Sequence, residues 1–496
     1  MKSGTVLHTL GWLLLFLSVA LLLPIPFSFY YQDGQIPSFL WSALIAAFSG
    51  LLLRGLFVPE GDLGFRDGFA IVTLGWLGAA FFGALPFYFS GKFSGFLDCF
   101  FESISGFTTT GSSILNQVEI LAPSTHFWRA LTQWLGGMGI IVLSLAILPV
   151  LGIGGMQLFQ AEVPGPTKDR LSPRIRDTAR ILWGVYLLLT FFETGLLMTG
   201  GLSFFEALCH SFTTMATGGF SLYTRSIGKF ESPWVEGVVT FFMVAAGANF
   251  TLHFYALRGR ISSYWKSEEF RFYISIILLA TFLLTFFNLA EKVFERFGES
   301  LRYSIFQVCS LLTTTGYATA DFDRWPPLAK LLLVFLMFFG GCAGSTGGGI
   351  KHVRFLLLWR HLRVQVFQLL HPKAVKAVKL DGRKVAPEVM QAVLGFFFLY
   401  LGVFILASLL VCAQGLDMVT GVTAVAATLN NIGPGLGGVG PMAHFGDLPD
   451  FSKFVLTICM LTGRLELFTL VVLLFPAFWK ETRKPVWFWQ RRKKNR

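Results

Sequence analysis

The chain alternates between long apolar stretches and short polar connections. Ten stretches approach the roughly 20 residues that an α-helix needs to cross a bilayer at about 1.5 Å per residue. They lie near 6–30, 37–57, 67–90, 126–151, 178–200, 233–257, 270–290, 326–342, 389–413 and 453–479. This pattern predicts an all-α polytopic membrane protein. A short turn containing proline separates the first two stretches, so we expect a retained N-terminal hairpin, not a removable signal.

Composition and charge agree with a membrane location. Of the 496 residues, 54% are hydrophobic and only 14% are charged, and the mean hydropathy is +0.64. The net charge of +12 could indicate nucleic acid, but the basic residues lie in connections between apolar stretches. They cluster from Lys168 to Arg180, from Arg258 to Arg271, from Lys351 to Lys384 and in the tail "RRKKNR". The positive-inside rule therefore predicts membrane lipid and not nucleic acid as the surroundings, with both termini cytoplasmic.

Four of the outer connections resemble one another. They are "CFFESISGFTTTGSS" (99–113), "FEALCHSFTTMATGGFS" (205–221), "FQVCSLLTTTGYATA" (306–320) and "VTAVAATLNNIGPGLG" (422–437). Alignment of these four segments matches Thr110-Gly111, Thr217-Gly218, Thr315-Gly316 and Ile432-Gly433, and the successive glycines are 107, 98 and 117 residues apart. This near-regular spacing indicates four copies of a unit of span, short helix, turn and span. After a hairpin at 1–60, we expect units at 61–160, 161–262, 263–371 and 372–496.

The apolar part of each repeated connection is too short to cross about 30 Å of hydrocarbon, which is typical of a re-entrant helix. Irregular backbone at membrane depth requires protein or water around it. We therefore expect the four helix–pore loop–helix units to surround one central ion pore. Backbone carbonyls in the turns could replace the water shell of a cation, and glycine permits the conformations required. A single such turn would be an ordinary helix C-cap, but four copies favour the pore.

These turns, together with further motifs, carry a resemblance to a known family. The motifs are "WLGGMGI" (134–140), "GGCAGSTGGGIK" (340–351), "NNIGPGLG" (430–437) and "LTGRLELFTL" (461–470). Over nearly its whole length the chain resembles the Trk/Ktr/HKT superfamily of potassium transporters, and the bacterial Trk-type membrane subunit in particular. The resemblance implies a filter of Gly111, Gly218, Gly316 and Gly433 with the residues that precede them, Thr110, Thr217, Thr315 and Ile432. Gly219 follows directly in the second unit, so a shift of one residue stays open there.

The same resemblance implies the transported ion, the partners and the location. It implies uptake of K⁺ with no cofactor, and glycine at position 111 favours potassium because sodium-preferring plant relatives often have serine there. It implies a homodimer in the cell inner membrane, resting on a cytosolic regulator subunit that binds NAD or ATP. Sodium/potassium or proton-coupled symport remains an alternative to a channel-like pore.

The third unit contains a glycine-rich interruption, "FFGGCAGSTGGGIKHVR". Its six glycines make a continuous helix improbable at a cost of about 1 kcal/mol each. We expect an irregular loop at membrane depth that lies under the filter and gates it, through Gly344, Ser345, Thr346, Gly347 and Gly348. The alternative is a passive helix kink caused by close packing.

Arg464 lies within the last apolar stretch, where an isolated charge costs about 2.5–3.5 kcal/mol. It must therefore face water or a partner. We expect it beneath the filter as a movable electrostatic barrier, with Glu466 on another face of the helix. The alternative is a structural interaction with Glu193, Glu466 or the carbonyl groups of the glycine-rich loop.

Motifs of intramembrane enzymes are missing from the sequence. It contains no HExxH, no GxSxG and no metal-binding spacing among its six cysteines and eight histidines, so we expect a protein that is not an enzyme. "GPGLGG" (433–438) fits a dinucleotide pattern, but it follows a predicted re-entrant helix and not the strand that such a site requires.

Overall fold

A computed structural model describes residues 2–59, 64–146 and 171–479. In these ranges the regular secondary structure is helical apart from one two-stranded antiparallel hairpin, β1 (Lys379–Leu380) and β2 (Arg383–Lys384), and one isolated bridge between Phe339 and Ile350. The helices are α1 (Ser3–Ala20), α2 (Ile25–Tyr31), α3 (Ile36–Leu56), α4 (Phe65–Gly83), α5 (Leu85–Phe89), α6 (Phe96–Phe107), α7 (Pro123–Ala146), α8 (Leu171–Thr199), α9 (Phe204–Met215), α10 (Pro233–Gly247), α11 (Phe250–Leu257), α12 (Ser262–Lys266), α13 (Glu268–Ala290), α14 (Phe297–Leu312), α15 (Pro327–Met337), α16 (His352–Leu370), α17 (Pro387–Cys412), α18 (Met418–Leu429), α19 (Asp450–Arg464), α20 (Phe468–Leu474) and α21 (Pro476–Trp479).

The all-α polytopic class predicted from the sequence is confirmed. Among the described residues, six helical segments are long and apolar enough to cross a membrane, or eight if two bent helix pairs are included. The predicted span 126–151 continues past the described residues at 147, and part of the basic cluster from Lys168 to Arg180 and the tail "RRKKNR" also lie outside them.

Two predicted spans, 233–257 and 453–479, are wrong as single helices. The axes of α10 and α11 differ by 105°, and those of α19 and α20 differ by 118°. The first break occurs because the side chain of Asn249 caps a new helix by accepting from the Thr251 amide at 2.8 Å. At the second break, Glu466 and Leu467 have φ values of 54° and 57°, which an α-helix cannot accommodate.

The predicted N-terminal hairpin is present. It consists of α1 and α2 followed by α3, and small residues bring its two arms together. A Cβ atom on Gly11 would lie 2.8 Å from the carbonyl oxygen of Gly50, and the converse distance is also 2.8 Å. Such close contacts between glycines are typical of helix packing in membranes, where dispersion replaces the hydrophobic effect.

Each of the four units contributes one short re-entrant helix. These helices are α6, α9, α14 and α18, with 12, 12, 16 and 12 residues. Each is followed by an irregular turn, a short 3₁₀ segment and then the second helix of its unit. In each unit the chain thus runs through a short helix, reverses in a turn and continues into the second helix, as the repeats predicted. The boundaries proposed between units stay predictions.

The second helix of the third unit is interrupted, as its glycines predicted. α15 ends at Met337, short of the predicted limit at 342, and α16 begins only at His352. Between them the glycine-rich loop (338–351) folds back on itself, with the Gly340 amide donating to the carbonyl of Ile350 at 2.9 Å. The loop also reaches the second unit, since the Cys342 amide donates to the carbonyl of Gly247 at 2.8 Å.

Candidate functional site

The four glycine turns have the same backbone conformation. In each turn, two residues with left-handed φ values flank a single residue that is not left-handed. The left-handed pairs are Thr109 (53°) and Gly111 (82°), Thr217 (53°) and Gly219 (74°), Thr314 (62°) and Gly316 (82°), and Asn431 (54°) and Gly433 (108°). The last residue of each turn has a positive φ that glycine adopts far more readily than any other residue. We define the glycine turns as residues 109–111, 217–219, 314–316 and 431–433.

The second turn corrects the sequence alignment by one residue. Gly219, and not Gly218, shares the left-handed conformation of Gly111, Gly316 and Gly433. Gly218 instead matches Thr110, because their amides donate to the carbonyls of Thr213 and Ser105, five residues back, at 2.8 Å in both cases. In this register every re-entrant helix ends four residues before its glycine. The Thr-Gly pair at 217 and 218 misled the alignment because the position before Gly219 is itself a glycine.

The glycine turns meet one another in chain order around a closed ring. A Cβ atom on Gly111 would lie 2.1 Å from the carbonyl oxygen of Gly218, and one on Gly219 would lie 1.9 Å from that of Thr315. The third and fourth contacts follow the same rule: Gly316 to Ile432 at 1.7 Å, and Gly433 to Thr110 at 3.0 Å. A side chain at any of the first three glycines would overlap the next strand. Turns separated by about a hundred residues therefore converge on one axis, as the sequence predicted.

A buried ion pair supports the first two turns from behind. Arg129 on α7 donates from Nε to Glu102 of α6 at 2.6 Å, and both side chains are almost fully buried. Glu102 also accepts from the amide of Ile114, just past the first glycine turn, at 3.1 Å. Arg129 donates from Nη1 to the carbonyl of Ser221, just past the second turn, at 2.8 Å. One pair thus holds both segments, and the sequence analysis missed it.

The position of Glu102, nine residues before its glycine, recurs in the other units. It is occupied by His210, Gln307 and Ala424. The Nε2 atom of His210 lies 3.1 Å from the Oγ of Ser221, and the Oε1 of Gln307 accepts from the amide of Thr319 at 3.1 Å. Polar support therefore recurs in three units and is replaced by a methyl group in the fourth. Counting back from the correct glycine would have revealed this column.

An open cavity of about 90 Å³ lies over the glycine turns and is lined in part by all four glycines. Glu119, in the outer connection of the first unit, accepts from the amide and the hydroxyl of Thr224 at 2.8 and 2.5 Å. Burial alone would raise the pKa of Glu119, but the hydrogen bonds from Thr224 outweigh it and lower the pKa. The carboxylate is therefore charged at neutral pH, beside residues Val118 and Thr224 that line the cavity.

The glycine-rich loop lies against the other side of the turns. The amide of Gly348 donates to the hydroxyl of Thr314, within the third glycine turn, at 2.7 Å. The hydroxyl of Thr346 donates to the carbonyl of Met215, the last residue of α9, at 3.0 Å. Ser345 and Thr346 are buried, and the amide of Phe250 donates to the carbonyl of Gly344 at 3.1 Å. The loop is thus bonded directly to the second and third units.

Arg464 connects this loop to the first unit. Its guanidinium donates to the carbonyl of Thr346 at 2.8 Å and to the carbonyl of Gly136 on α7 at 3.2 Å. Of the partners left open by the sequence, the loop carbonyl is the one observed. Glu466 pairs instead with Arg354 of α16, and it lies in the break after α19 and not on another face of that helix as predicted. Both carboxylate oxygens of Glu193 are buried, next to the side chain of Thr214.

The comparisons with known proteins agree with this architecture. The family of TrkH cation transport proteins matches residues 42–480. Over 485 residues the chain is 42% identical to the Trk system potassium uptake protein TrkH of Salmonella typhimurium, covering 97% of this chain and 100% of that protein. It is 35% identical to the Trk system potassium uptake protein TrkG of Escherichia coli K12, covering 96% of this chain and 98% of that one.

A solved structure shows the same fold. The crystal structure of the potassium transporter TrkH from Vibrio parahaemolyticus superposes with a TM-score of 0.89 at 39% sequence identity. The match covers 97% of this chain and 100% of that one. The four re-entrant units, the ring of glycine turns and the match across most of the sequence lead to one conclusion: this chain belongs to the TrkH family of cation transport proteins.

Proposed function

We propose that the protein takes up K⁺ through a channel-like pore whose selectivity filter is formed by the four glycine turns. The observation that carries the proposal is the closed ring in which each glycine abuts the carbonyl oxygen of the next unit, at 2.1, 1.9, 1.7 and 3.0 Å from a Cβ position. The two relatives and the solved structure described above carry the names of potassium uptake proteins or a potassium transporter. The proposed filter residues are Thr110, Gly111, Gly218, Gly219, Thr315, Gly316, Ile432 and Gly433, with Thr217 one position earlier.

The proposed filter works by replacing water with backbone oxygens. A cation entering the ring loses its hydration shell and gains carbonyl ligands, without any full negative charge being buried. The re-entrant helices end four residues before their glycines, so their C-terminal partial negative charges favour a cation just below the turns. Glu119 adds negative charge on the outer side. These fields favour entry of a cation and oppose an anion.

We propose that the glycine-rich loop and Arg464 close the pore beneath this filter. The loop is held by Thr314 and Met215, and Arg464 bonds the loop carbonyl of Thr346 to the wall of the first unit. A positive charge at this place repels an arriving cation. Opening then requires the hydrogen bonds of Arg464 to break and the loop to withdraw.

Ion-coupled symport is the second candidate, and one observation favours it. Glu193 of α8 is fully buried, and among the described residues Thr214 is the hydrogen-bonding neighbour of its carboxyl group. An intramembrane carboxyl group of this kind is a possible proton carrier. Under coupling, K⁺ uptake by the purified protein would need a proton or sodium gradient, whereas the channel-like pore conducts down the K⁺ gradient alone.

We further propose a homodimer in the cell inner membrane, with both termini cytoplasmic and a cytosolic nucleotide-binding regulator beneath. Support comes from the region after the glycine-rich loop. There, α16 and the β1–β2 hairpin form a basic cleft lined by Arg360, Arg363, Lys376, Lys379 and Lys384. The apolar side chain of Val375, which also lines the cleft, is fully exposed and open to a partner.

Ion flux into liposomes tests the proposed function. Purified protein should pass K⁺ without any gradient of protons or sodium, and should pass Na⁺ more slowly. Gly111→Ser should reduce the discrimination between the two ions, because a Cβ at this position overlaps the carbonyl oxygen of Gly218. No K⁺ flux from the wild-type protein, or equal flux of both ions, would reject the filter.

A further inference from the structure

The second glycine turn contains a glycine that its backbone does not require. Gly218 occupies the position held by Thr110, Thr315 and Ile432 in the other three turns. Its φ is not in the left-handed region, unlike that of Gly219. Backbone strain therefore does not explain the absence of a side chain at position 218, and the reason must be steric.

The side chain of Gln133 fills that space. A Cβ atom on Gly218 would lie 2.4 Å from Cδ of Gln133, 2.5 Å from its Oε1 and 2.7 Å from its Nε2. These are overlaps, because real Cβ contacts start above about 3 Å. Gln133 is fully buried and belongs to α7, the second helix of the first unit. The Gln133 side chain of the first unit thus fills the space that a threonine or isoleucine side chain takes up in the other three turns.

Gln133 also holds both peptide groups next to Gly219. Its Nε2 donates to the carbonyl oxygen of Gly218 at 2.7 Å, and its Oε1 accepts from the amide of Phe220 at 3.1 Å. The Gly218 oxygen is the one that faces Gly111 in the ring. In the described part of the chain, no side chain donates to the corresponding oxygens of the other three turns. Of the four carbonyls that face the next glycine, that of Gly218 is therefore the one bonded by a side chain among the described residues, while the Ser112 hydroxyl donates to Gly433, one position further along the fourth turn.

We propose that Gln133 is a positioning residue that helps to set ion selectivity, an inference that rests on the proposed filter. Its amide fixes the direction of the Gly218 oxygen and draws electron density away from the pore. Selectivity between K⁺ and Na⁺ depends on the number and field strength of the carbonyl ligands. A glutamine that holds one of these ligands can therefore change selectivity without contacting the ion.

Gln133→Leu tests the hydrogen bonds, because leucine has similar bulk but neither donates nor accepts. The ratio of K⁺ to Na⁺ flux in liposomes should fall about threefold to tenfold, the effect of losing one net hydrogen bond at a ligand. The matched control is Gln391→Leu, the same substitution at an exposed position of α17. Its flux ratio should equal that of the wild-type protein.

Gly218→Thr tests whether the Gln133 side chain fills the space that a side chain at position 218 would need. Alone, the threonine collides with Gln133, and K⁺ flux should fall by at least tenfold. The double variant Gln133→Ala/Gly218→Thr restores a Thr-Gly pair like those of the first and third turns, and should recover most of the lost flux. Recovery of flux shows that the two side chains compete for one space. The double variant lacks the amide of Gln133, so its ratio of K⁺ to Na⁺ flux should stay below that of the wild-type protein, and this ratio separates positioning from general damage.

The outcomes distinguish this inference from the proposed function. If the wild-type protein is K⁺-selective but Gln133→Leu keeps the wild-type ratio, the positioning role is wrong and the filter stands. The same conclusion follows if Gly218→Thr alone matches the double variant. If the wild-type protein shows no K⁺ selectivity, the filter itself fails, whatever the variants do.

Discussion

Replacement of Arg464 is the sharpest test of the proposal that this residue closes a pore. The guanidinium is buried, at 2% exposure, and donates to the carbonyls of Thr346 and Gly136 at 2.8 and 3.2 Å. A hydrogen bond from a charged donor contributes about 1.5–3 kcal/mol net. Loss of the shorter bond alone should therefore shift the balance between closed and open states about tenfold to a hundredfold toward open.

Arg464→Ala should thus raise K⁺ flux in liposomes, measured at equal protein density and at several K⁺ concentrations. Arg464→Lys separates two causes, since it keeps the positive charge but loses the forked donor geometry. If repulsion of the cation dominates, the lysine variant stays near the wild-type flux; if the bond to Thr346 dominates, its flux rises toward that of the alanine variant. Arg271→Ala, at an exposed position of α13, serves as the control and should have wild-type flux.

A fall in flux for Arg464→Ala, in protein that elutes and unfolds like the wild type, would refute this reasoning. The arginine would then be a structural link between the loop and α7, needed to keep the pathway intact. Equal flux in the alanine and wild-type proteins would also count against a barrier, because the barrier predicts at least a tenfold rise.

Three further predictions follow from the site. Gly219→Ala should lower both the K⁺ flux and the ratio of K⁺ to Na⁺ flux, as Gly111→Ser should, since residue 219 has a φ of +74° and its Cβ would lie 1.9 Å from the Thr315 oxygen; Gly237→Ala, with nothing within 4 Å of its Cβ, should be silent in the same flux assay. Glu102→Ala should lower the free energy of unfolding by about 3–5 kcal/mol because it leaves Arg129 buried and uncompensated; thermal unfolding in detergent would show this, and an exposed-pair control, Glu231→Ala, should change little. Shortening residues 344–348 should raise flux measured in liposomes, and an unchanged rate would favour a passive kink over a gate.

Several predictions from sequence were confirmed because they depend on local properties. Span length and hydropathy are properties of a continuous segment, so the N-terminal hairpin and the short re-entrant helices could be located before any contact was known. The six glycines between 340 and 349 disfavour a helix whatever surrounds them, and the loop after Met337 is present. Repetition then indicated that the turns converge.

Other features depend on contacts that no local pattern contains. No proline lies at the bends of 105° between α10 and α11 and of 118° between α19 and α20, so the sequence did not predict them. Arg464 had three possible partners in the sequence, and only packing selected the carbonyl of Thr346, 118 residues away. The Arg129–Glu102 pair escaped notice because no local pattern links two residues that lie 27 positions apart on different helices.

By itself, the sequence determined the class of the protein, the number of repeated units and the residues from which a pore could be built, because hydrophobic length and glycine act locally. The tertiary structure alone decided the register of the second turn. By local sequence, either Thr217-Gly218 or Gly218-Gly219 could align with the Thr-Gly pairs of the first and third turns. The packed structure selects Gly218-Gly219, because the amide of Gln133 fills the space that a side chain on the residue before the left-handed glycine would need. That exclusion lies between two units, 85 residues apart in the chain, and exists only once they are packed together.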